Sequence, residues 1–145
     1  MNSGHFILKE LIGSWSYERE FDNGSSSSGF ASFERNKSKE LKYSETGILK
    51  LITGATLKGK RKYYFSANRN KLEIYFFENP KTLFQSFELN PKGNALTGKA
   101  IHQCGSDDYE SEYVFEAGGR FRITHKVRGP KKIYVSKTTY LRINK

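Results

Sequence analysis

The chain has 145 residues, 36% of them hydrophobic and 28% charged, which fits one globular domain over residues 1–145. An aromatic content of 14% excludes a disordered chain. The 25 Lys and Arg against 15 Asp and Glu give a net charge of +10, which favours anionic partners without choosing among nucleic acid, anionic lipid and acidic ligands.

A short helix is predicted within residues 1–12, where Asn2 and Ser3 are candidate caps. Strands are predicted after it, because short segments of alternating polarity are separated by Gly, Asn, Pro and Asp. The predicted strands cover residues 13–21, 29–36, 41–52, 61–68, 71–77, 84–89, 95–104, 108–117, 120–128 and 133–143.

The segments between these strands predict hairpins. Residues 24–29 are only Gly and Ser and predict a mobile hairpin loop. Pro80, Pro91 and Pro130 fall between strands, where a missing N–H is tolerated. Roughly nine or ten hairpin-linked strands predict an all-β fold, either an antiparallel up-and-down β-barrel with a short N-terminal helix or a sandwich. The barrel is favoured because it leaves no edge strand exposed.

Alternation predicts which side chains enter the barrel, because residues two apart in a strand share a face. Eight polar or titratable residues fall on predicted inner faces: Arg19, Tyr43, Glu45, His102, Cys104, Tyr109, Tyr113 and His125. An unpaired buried charge costs several kcal/mol, so these groups must pair, hold water or face a cavity. Apolar walls with a few converging polar groups are typical of ligand sites, so we interpret the eight as ligand-binding; a purely structural pair of Arg19 with Glu45 is the alternative.

Two groups of motifs resemble known families. Gly13-Ser14-Trp15 near the start and Arg142 near the end resemble the calycin (lipocalin-like) signature, which implies that Arg142 packs over Trp15 at the barrel floor. The chain also resembles a calycin-like family known only as domain of unknown function 6314, a likeness that implies the barrel fold and no activity. Its patterns here are Trp15-x3-Arg19, Gly29-x-Ala31-x-Phe33, Leu41-x-Tyr43-x-Glu45-x-Gly47, His102-x-Cys104-Gly105-x-Asp107-x-Tyr109 and Val127-x-Gly129-Pro130-x-Lys132-x-Tyr134.

Some positions depart from that family pattern. His125 stands where relatives carry Trp, Ile133 stands where they carry Asp, and Phe84-Gln85 replaces a Phe-His pair. A function that depends on that Asp or that His is therefore not expected here. Rim positions are predicted for three residues of the motifs: Asp107, Lys132 and Tyr134.

Enzyme and cofactor chemistry are alternatives to binding. Tyr43, Glu45 and His102 would suit acid–base catalysis of the isomerase or cyclase type. His102 or His125 would suit haem iron, as in nitrobindin-like barrels. His102 and Cys104 share a face, but an inert buried thiol is the simpler interpretation. No metal site and no confident catalytic residue is predicted, since zinc needs about three or four converging ligands.

Nucleic acid is a further alternative through the basic outer face of residues 120–128, although that face offers few aromatic residues for base stacking. No apolar run approaches the roughly 20 residues of a membrane-spanning helix. The N-terminus lacks the features of a signal peptide. Cys104, the lone cysteine, excludes an internal disulfide and suits the cytoplasm. The favoured function is binding of a small amphipathic, anionic molecule in the lumen, with the oligomeric state left open.

Overall fold

The protein is a nearly closed antiparallel β-barrel, seen in a computed structural model that describes residues 2–144. Its elements are α1 (Ser3–Leu11), β1 (Gly13–Phe21), β2 (Ser26–Arg35), β3 (Leu41–Lys50), β4 (Thr56–Asn68), β5 (Lys71–Phe76), β6 (Leu83–Glu88), β7 (Asn90–Lys92), β8 (Ala95–Cys104), β9 (Asp107–Glu116), β10 (Arg120–Arg128) and β11 (Ile133–Asn144). The spatial order is β6-β5-β4-β3-β2-β1-β11-β10-β9-β8-β7. The predicted up-and-down barrel is confirmed, with β7 as an additional short strand.

Residues 24–29, predicted to form a mobile loop, lie mostly in a strand, so that prediction was wrong. Strand β2 begins at Ser26, which pairs with Glu20, and the turn is confined to the residues before it. Gly24 supplies a φ of 91°, and the Asn23 side chain accepts a hydrogen bond of 2.9 Å from the Ser25 N–H. Position 29 must be glycine, because a methyl group there would overlap the backbone of β3.

Two smaller expectations also differ from the structure. Asn2 holds the cap position of α1 without a side-chain hydrogen bond to the helix. Pro91, predicted to lie between strands, is in β7 at the edge of the sheet, where proline is tolerated because one side of the strand has no partner. Within residues 2–144, no helix is long and apolar enough to span a membrane.

One end of the barrel is covered by α1. The helix buries Ile7, Leu8 and Leu11, and the Trp15 indole N–H donates a hydrogen bond of 2.9 Å to the Leu11 carbonyl. The Arg142 guanidinium lies 4.3 Å from the centre of the Trp15 ring, as the calycin resemblance implied. This end is therefore the floor, and the opposite end is the mouth.

Side chains close the seam between β6 and β8, where no strand ladder joins the edges. The Phe87 ring lies directly against Gly98 and stacks on Tyr113, with ring centres 4.3 Å apart. Gln85 reaches across to β9, where its side-chain N–H donates a hydrogen bond of 2.6 Å to the Ser111 hydroxyl. Closure thus depends on the absence of a side chain at Gly98.

We expect Gly98→Ala to lower the free energy of unfolding by about 1–3 kcal/mol, because the added methyl group overlaps the Phe87 ring. Gly59→Ala is the matched control, since no atom lies within 4 Å of its added methyl group. That control should be neutral or stabilising by about 0.4–1 kcal/mol, through the lower entropy of the unfolded chain. Urea unfolding measures both, and equal losses in the two variants would contradict this account of the seam.

Candidate functional site

A buried ion pair between Arg19 of β1 and Glu45 of β3 lies in the centre of the barrel. The two guanidinium nitrogens donate to the two carboxylate oxygens at 2.8 and 2.9 Å, and both side chains are about 5% exposed. The Arg19 Nε donates a further hydrogen bond of 2.8 Å to Thr138. Tyr43 donates to Glu45, and its hydroxyl lies 2.9 Å from that of Tyr140. Each charge of the pair is therefore matched inside the protein.

Electrostatics keep this pair ionised. Burial alone would raise the pKa of Glu45, but the hydrogen bonds and charge of Arg19 outweigh it and lower that pKa. Burial also opposes the charged form of Arg19, yet the bond to Glu45 raises its pKa above the usual value. Burial raises the pKa of Tyr140 to about 12. Glu45 is thus a weak base and Tyr140 a weak acid at neutral pH.

A second network joins β6, β9 and β10. Tyr113 donates to the Gln85 side-chain oxygen, Gln85 donates to Ser111, and the Ser111 hydroxyl lies 2.5 Å from His125 Nδ1. Burial, followed by the charges of two arginines, lowers the pKa of His125 to about 4, so its imidazole is neutral at pH 7. Among the residues that the structure describes, no buried side-chain nitrogen or oxygen lacks a hydrogen-bond partner.

Gln85 was not among the predicted inward residues, and strict alternation would allow only one of Phe84 and Gln85 inside. A register shift between Ile74 and Tyr75 in the β5–β6 ladder breaks the alternation, and both side chains are buried. A β-bulge of this kind turns consecutive residues to the same side. The sequence signal was the Phe-Gln pair standing in place of the family's Phe-His pair.

The lumen between the two networks is almost full. The cavity there has a volume of about 30 Å³ and touches Arg19, Tyr43, Glu45, Tyr113 and His125. One water fits such a space, whereas ligand pockets measure roughly 300–1,000 Å³. The predicted deep pocket is therefore filled, since tyrosine rings occupy it and the charged groups bond to each other. Haem therefore does not fit into this cavity beside His125.

Open space begins nearer the mouth, beside the ion pair. A cavity of about 120 Å³ lies over Gly59 and next to Arg19, Glu45 and Arg61. The Arg61 Nε lies 4.0 Å from the Glu45 carboxylate, and the Arg61 side chain is 40% exposed. Two guanidinium groups thus share one carboxylate, which leaves one positive charge without a counter-charge among these three groups.

Aromatic rings also lie at this end of the barrel, and among them Phe21 lines the cavity. Phe84 is central, with its ring centre 5.4 Å from that of His102 and 5.6 Å from that of Tyr109. On the far side the rings of Phe21 and Tyr134 are 5.7 Å apart. His102, Tyr109 and Tyr134, predicted from the sequence, are thus brought to the same end of the barrel.

The predicted rim residues Asp107 and Lys132 also meet at the mouth. The Lys132 ammonium lies 3.3 Å from an Asp107 carboxylate oxygen and donates a hydrogen bond of 3.4 Å to the Tyr109 hydroxyl. The bond to Tyr109, followed by Asp107, raises the pKa of Lys132. Gly129 allows this approach, because a methyl group there would overlap the Asp107 carboxylate.

Cys104, predicted to point into the lumen, is exposed, so that prediction was wrong. It pairs with Asp107 at the tip of the β8–β9 hairpin, where β8 has no other neighbouring strand. At such a tip, alternation still sets the direction of a side chain, but no opposite wall covers it. Within residues 2–144, no group of three His, Cys, Asp or Glu side chains is placed to hold a metal ion.

A separate groove of about 880 Å³ lies on the outside of the barrel, across β11, β1, β2, β3 and β4. Its charged lining residues are Glu18, Lys58 and Lys60, and Phe30 stands on its wall with 64% of its surface exposed. The groove is larger than the cavity at the mouth, but it does not contain the buried charged pair.

Comparison with known proteins identifies the family. The model of a family of unknown function, DUF6314, matches residues 11–142. The chain belongs to this DUF6314 family. This confirms the family predicted from the motifs of the sequence. A search of curated proteins finds no match.

Solved structures show the same fold in distant proteins. The S-type phycobiliprotein lyase CPES from Guillardia theta has a TM-score of 0.71 at 10% identity, over 99% of this chain and 94% of that one. A redesigned β-barrel has a TM-score of 0.50 at 12% identity, over 94% of this chain and 95% of that one. At these identities the likeness of the DUF6314 protein to both concerns the fold alone.

Proposed function

We propose that this DUF6314 protein binds a small amphipathic molecule at the mouth of the barrel through an anionic group. The observation that carries the proposal is the pair of guanidinium groups, Arg19 and Arg61, around the single carboxylate of Glu45. A carboxylate, sulfonate or phosphate above Gly59 would supply the missing counter-charge. Arg61 is the residue available to bind it, because its side chain is 40% exposed whereas that of Arg19 is bonded on every side.

The apolar body of the ligand would lie among the rings of the mouth. Phe84, His102 and Tyr109 form one wall, and Phe21 with Tyr134 forms the other. Ligand sites in proteins commonly combine such apolar walls with a few polar groups that fix orientation. Residues deeper in the barrel would then support the site, by holding Arg19 and Glu45 in place, rather than contact the ligand.

Acid–base catalysis is the weaker candidate, although a protein of similar fold is named a lyase. The pKa of Glu45 is lowered despite its burial, because Arg19 holds it ionised. The pKa of Tyr43 is raised well above its usual value, first by burial. Neither shift brings a proton donor or acceptor close to neutral pH, where general acid–base groups work best. The cytoplasmic location remains a prediction from the lone cysteine.

We expect anilinonaphthalene sulfonate, a fluorescent aromatic anion, to bind the protein with a rise in fluorescence. Arg61→Gln should weaken this binding about tenfold or more, because a hydrogen bond to a charged group contributes roughly 1.5–3 kcal/mol. Fluorescence titration at fixed salt measures the affinity of each variant. Native mass spectrometry of the purified protein would then identify a bound natural ligand.

Arg122→Gln is the matched control, since it removes the same charge from a side chain that is 47% exposed on the outer face of β10. Its affinity for the probe should equal that of the wild type. If Arg61→Gln and Arg122→Gln bind the probe equally well, the anion site does not lie at the mouth.

A further inference from the structure

We propose that the outer face of β3, β4 and β5 binds single-stranded nucleic acid. This lysine–aromatic face consists of Lys42, Lys62, Tyr64, Tyr75, Phe77 and Lys81. It lies on the opposite side of the barrel wall from the mouth cavity. The proposal therefore stands or falls separately from the binding of a small molecule.

The aromatic residues form a platform on the surface. Register places Tyr64 of β4 beside Tyr75 of β5. Phe77 follows β5 and stacks on Tyr64, with ring centres 4.9 Å apart and planes inclined by 24°. Phe77 is 41% exposed, so much of this large apolar ring faces solvent and does not contribute to the core. Exposed rings of this kind are where unpaired bases stack.

Lysine side chains cover these rings. The ammonium groups of Lys42 and Lys62 each lie 5.3 Å from the centre of the Phe77 ring. The Lys81 ammonium lies 4.9 Å from the centre of the Tyr75 ring and also pairs with Glu40. Lysine stems are flexible, so a base can take the ring face while the ammonium groups move onto the neighbouring phosphates.

The positive charge continues along β4 beyond the platform. Lys58, Lys60 and Lys62 alternate on its outer face, about 7 Å apart at the ~3.3 Å rise of a strand. Lys58 and Lys60 line the outer groove of about 880 Å³. In the same row of the sheet, Phe30 pairs with Thr46, which pairs with Lys60. The lysine track thus meets the aromatic platform at its Lys62 end, and the exposed Phe30 lies level with Lys60 two strands to the side.

The combination of exposed aromatic rings with a row of lysines favours a single strand of nucleic acid over other polyanions. A duplex offers charge but keeps its base faces stacked inside, so the exposed rings would add nothing to its binding. Single strands offer both phosphates and free base faces, and their binding sites combine a basic track with aromatic residues. Four carboxylates are acidic exceptions: Glu18 in the groove, Glu34 opposite Lys42, Glu40 beside Lys81 and Glu73 beside Tyr75. The five lysines of the face and of β4 still outnumber them.

Fluorescence anisotropy tests the proposal with a fluorescein-labelled single strand of mixed sequence. The strand has about twelve nucleotides, a length within the site sizes of known single-strand-binding domains. Affinity should fall with salt. Phe77→Ala should weaken binding about fivefold or more at an unchanged salt slope, while Phe77→Tyr retains the affinity. Lys62→Gln should reduce the slope of log K against log salt by about 0.7, one phosphate contact.

Arg122→Gln is the control, because it removes a cation from the basic face of β10 and should leave affinity and salt slope unchanged. The proposal is overturned if no single strand binds, if Phe77→Ala binds like the wild type, or if a duplex of the same sequence binds as tightly. A loss in Arg122→Gln equal to that in Lys62→Gln would also overturn it, by showing charge attraction without a site. Phe77→Ala should still bind anilinonaphthalene sulfonate like the wild type, which separates the two sites.

Discussion

Replacing Arg19 by Met is expected to lower the free energy of unfolding by about 3–5 kcal/mol, because Glu45 would be left charged and buried without its partner. Glu45→Leu should cost a similar amount, since it leaves the guanidinium unpaired. The double variant should lose far less than the sum of the two, because apolar groups of similar volume replace a buried pair at little cost. Urea unfolding of the four proteins measures the coupling energy.

A surface pair provides the matched control for this cycle. The Arg120 Nε lies 3.2 Å from a Glu116 carboxylate oxygen, and the two side chains are 51% and 32% exposed. Arg120→Met should therefore change stability by less than about 1 kcal/mol. Additive losses for Arg19→Met and Glu45→Leu would mean that the buried pair does not stabilise the barrel as a unit.

Lowering the pH from about 7 to about 5 is expected to reduce stability by about 2 kcal/mol through His125. Its pKa falls from 6.5 to about 4 on folding. Between these values the unfolded chain takes up a proton that the folded protein does not, so the free energy of the unfolded state falls relative to that of the folded state. The contribution is complete above pH 6.5 and is lost progressively as the pH falls toward about 4.

His125→Gln tests this dependence, because the amide can still bond to Ser111 but does not titrate. Its stability should vary less between about pH 7 and pH 5 than that of the wild type, by about 2 kcal/mol. His5→Gln, at an exposed position on α1, should keep the wild-type dependence. Urea unfolding at several pH values provides the comparison, and identical pH profiles for all three proteins would rule out His125 as the source.

Much of the barrel was predictable because strand alternation is a local property. Three of the predicted strands, β1, β8 and β10, have the predicted bounds. Alternation also placed Arg19 and Glu45 on the inner face. Because a buried charge needs a partner, their pairing could be predicted as well. The motif that contains Trp15 implied the floor, since it included the arginine that covers the ring.

Other features depend on which strands meet, and alternation does not contain that information. Lys58 and Lys60 lie in β4 ahead of its predicted start, and their common surface with Phe30 exists only through pairing with β3. Gln85 enters the barrel through a bulge, and the exposure of Cys104 depends on the end of its hairpin.

The sequence by itself determined the approximate positions of ten of the eleven described strands, their order as hairpins and the direction of most of the side chains that were assigned, because these follow from a two-residue period. Tertiary structure alone decided that tyrosine rings fill the lumen to a cavity of about 30 Å³. It also decided that Arg61 comes beside Glu45 at the mouth. Volumes and partners arise from the shear and closure of the whole sheet, which place residues of distant strands side by side.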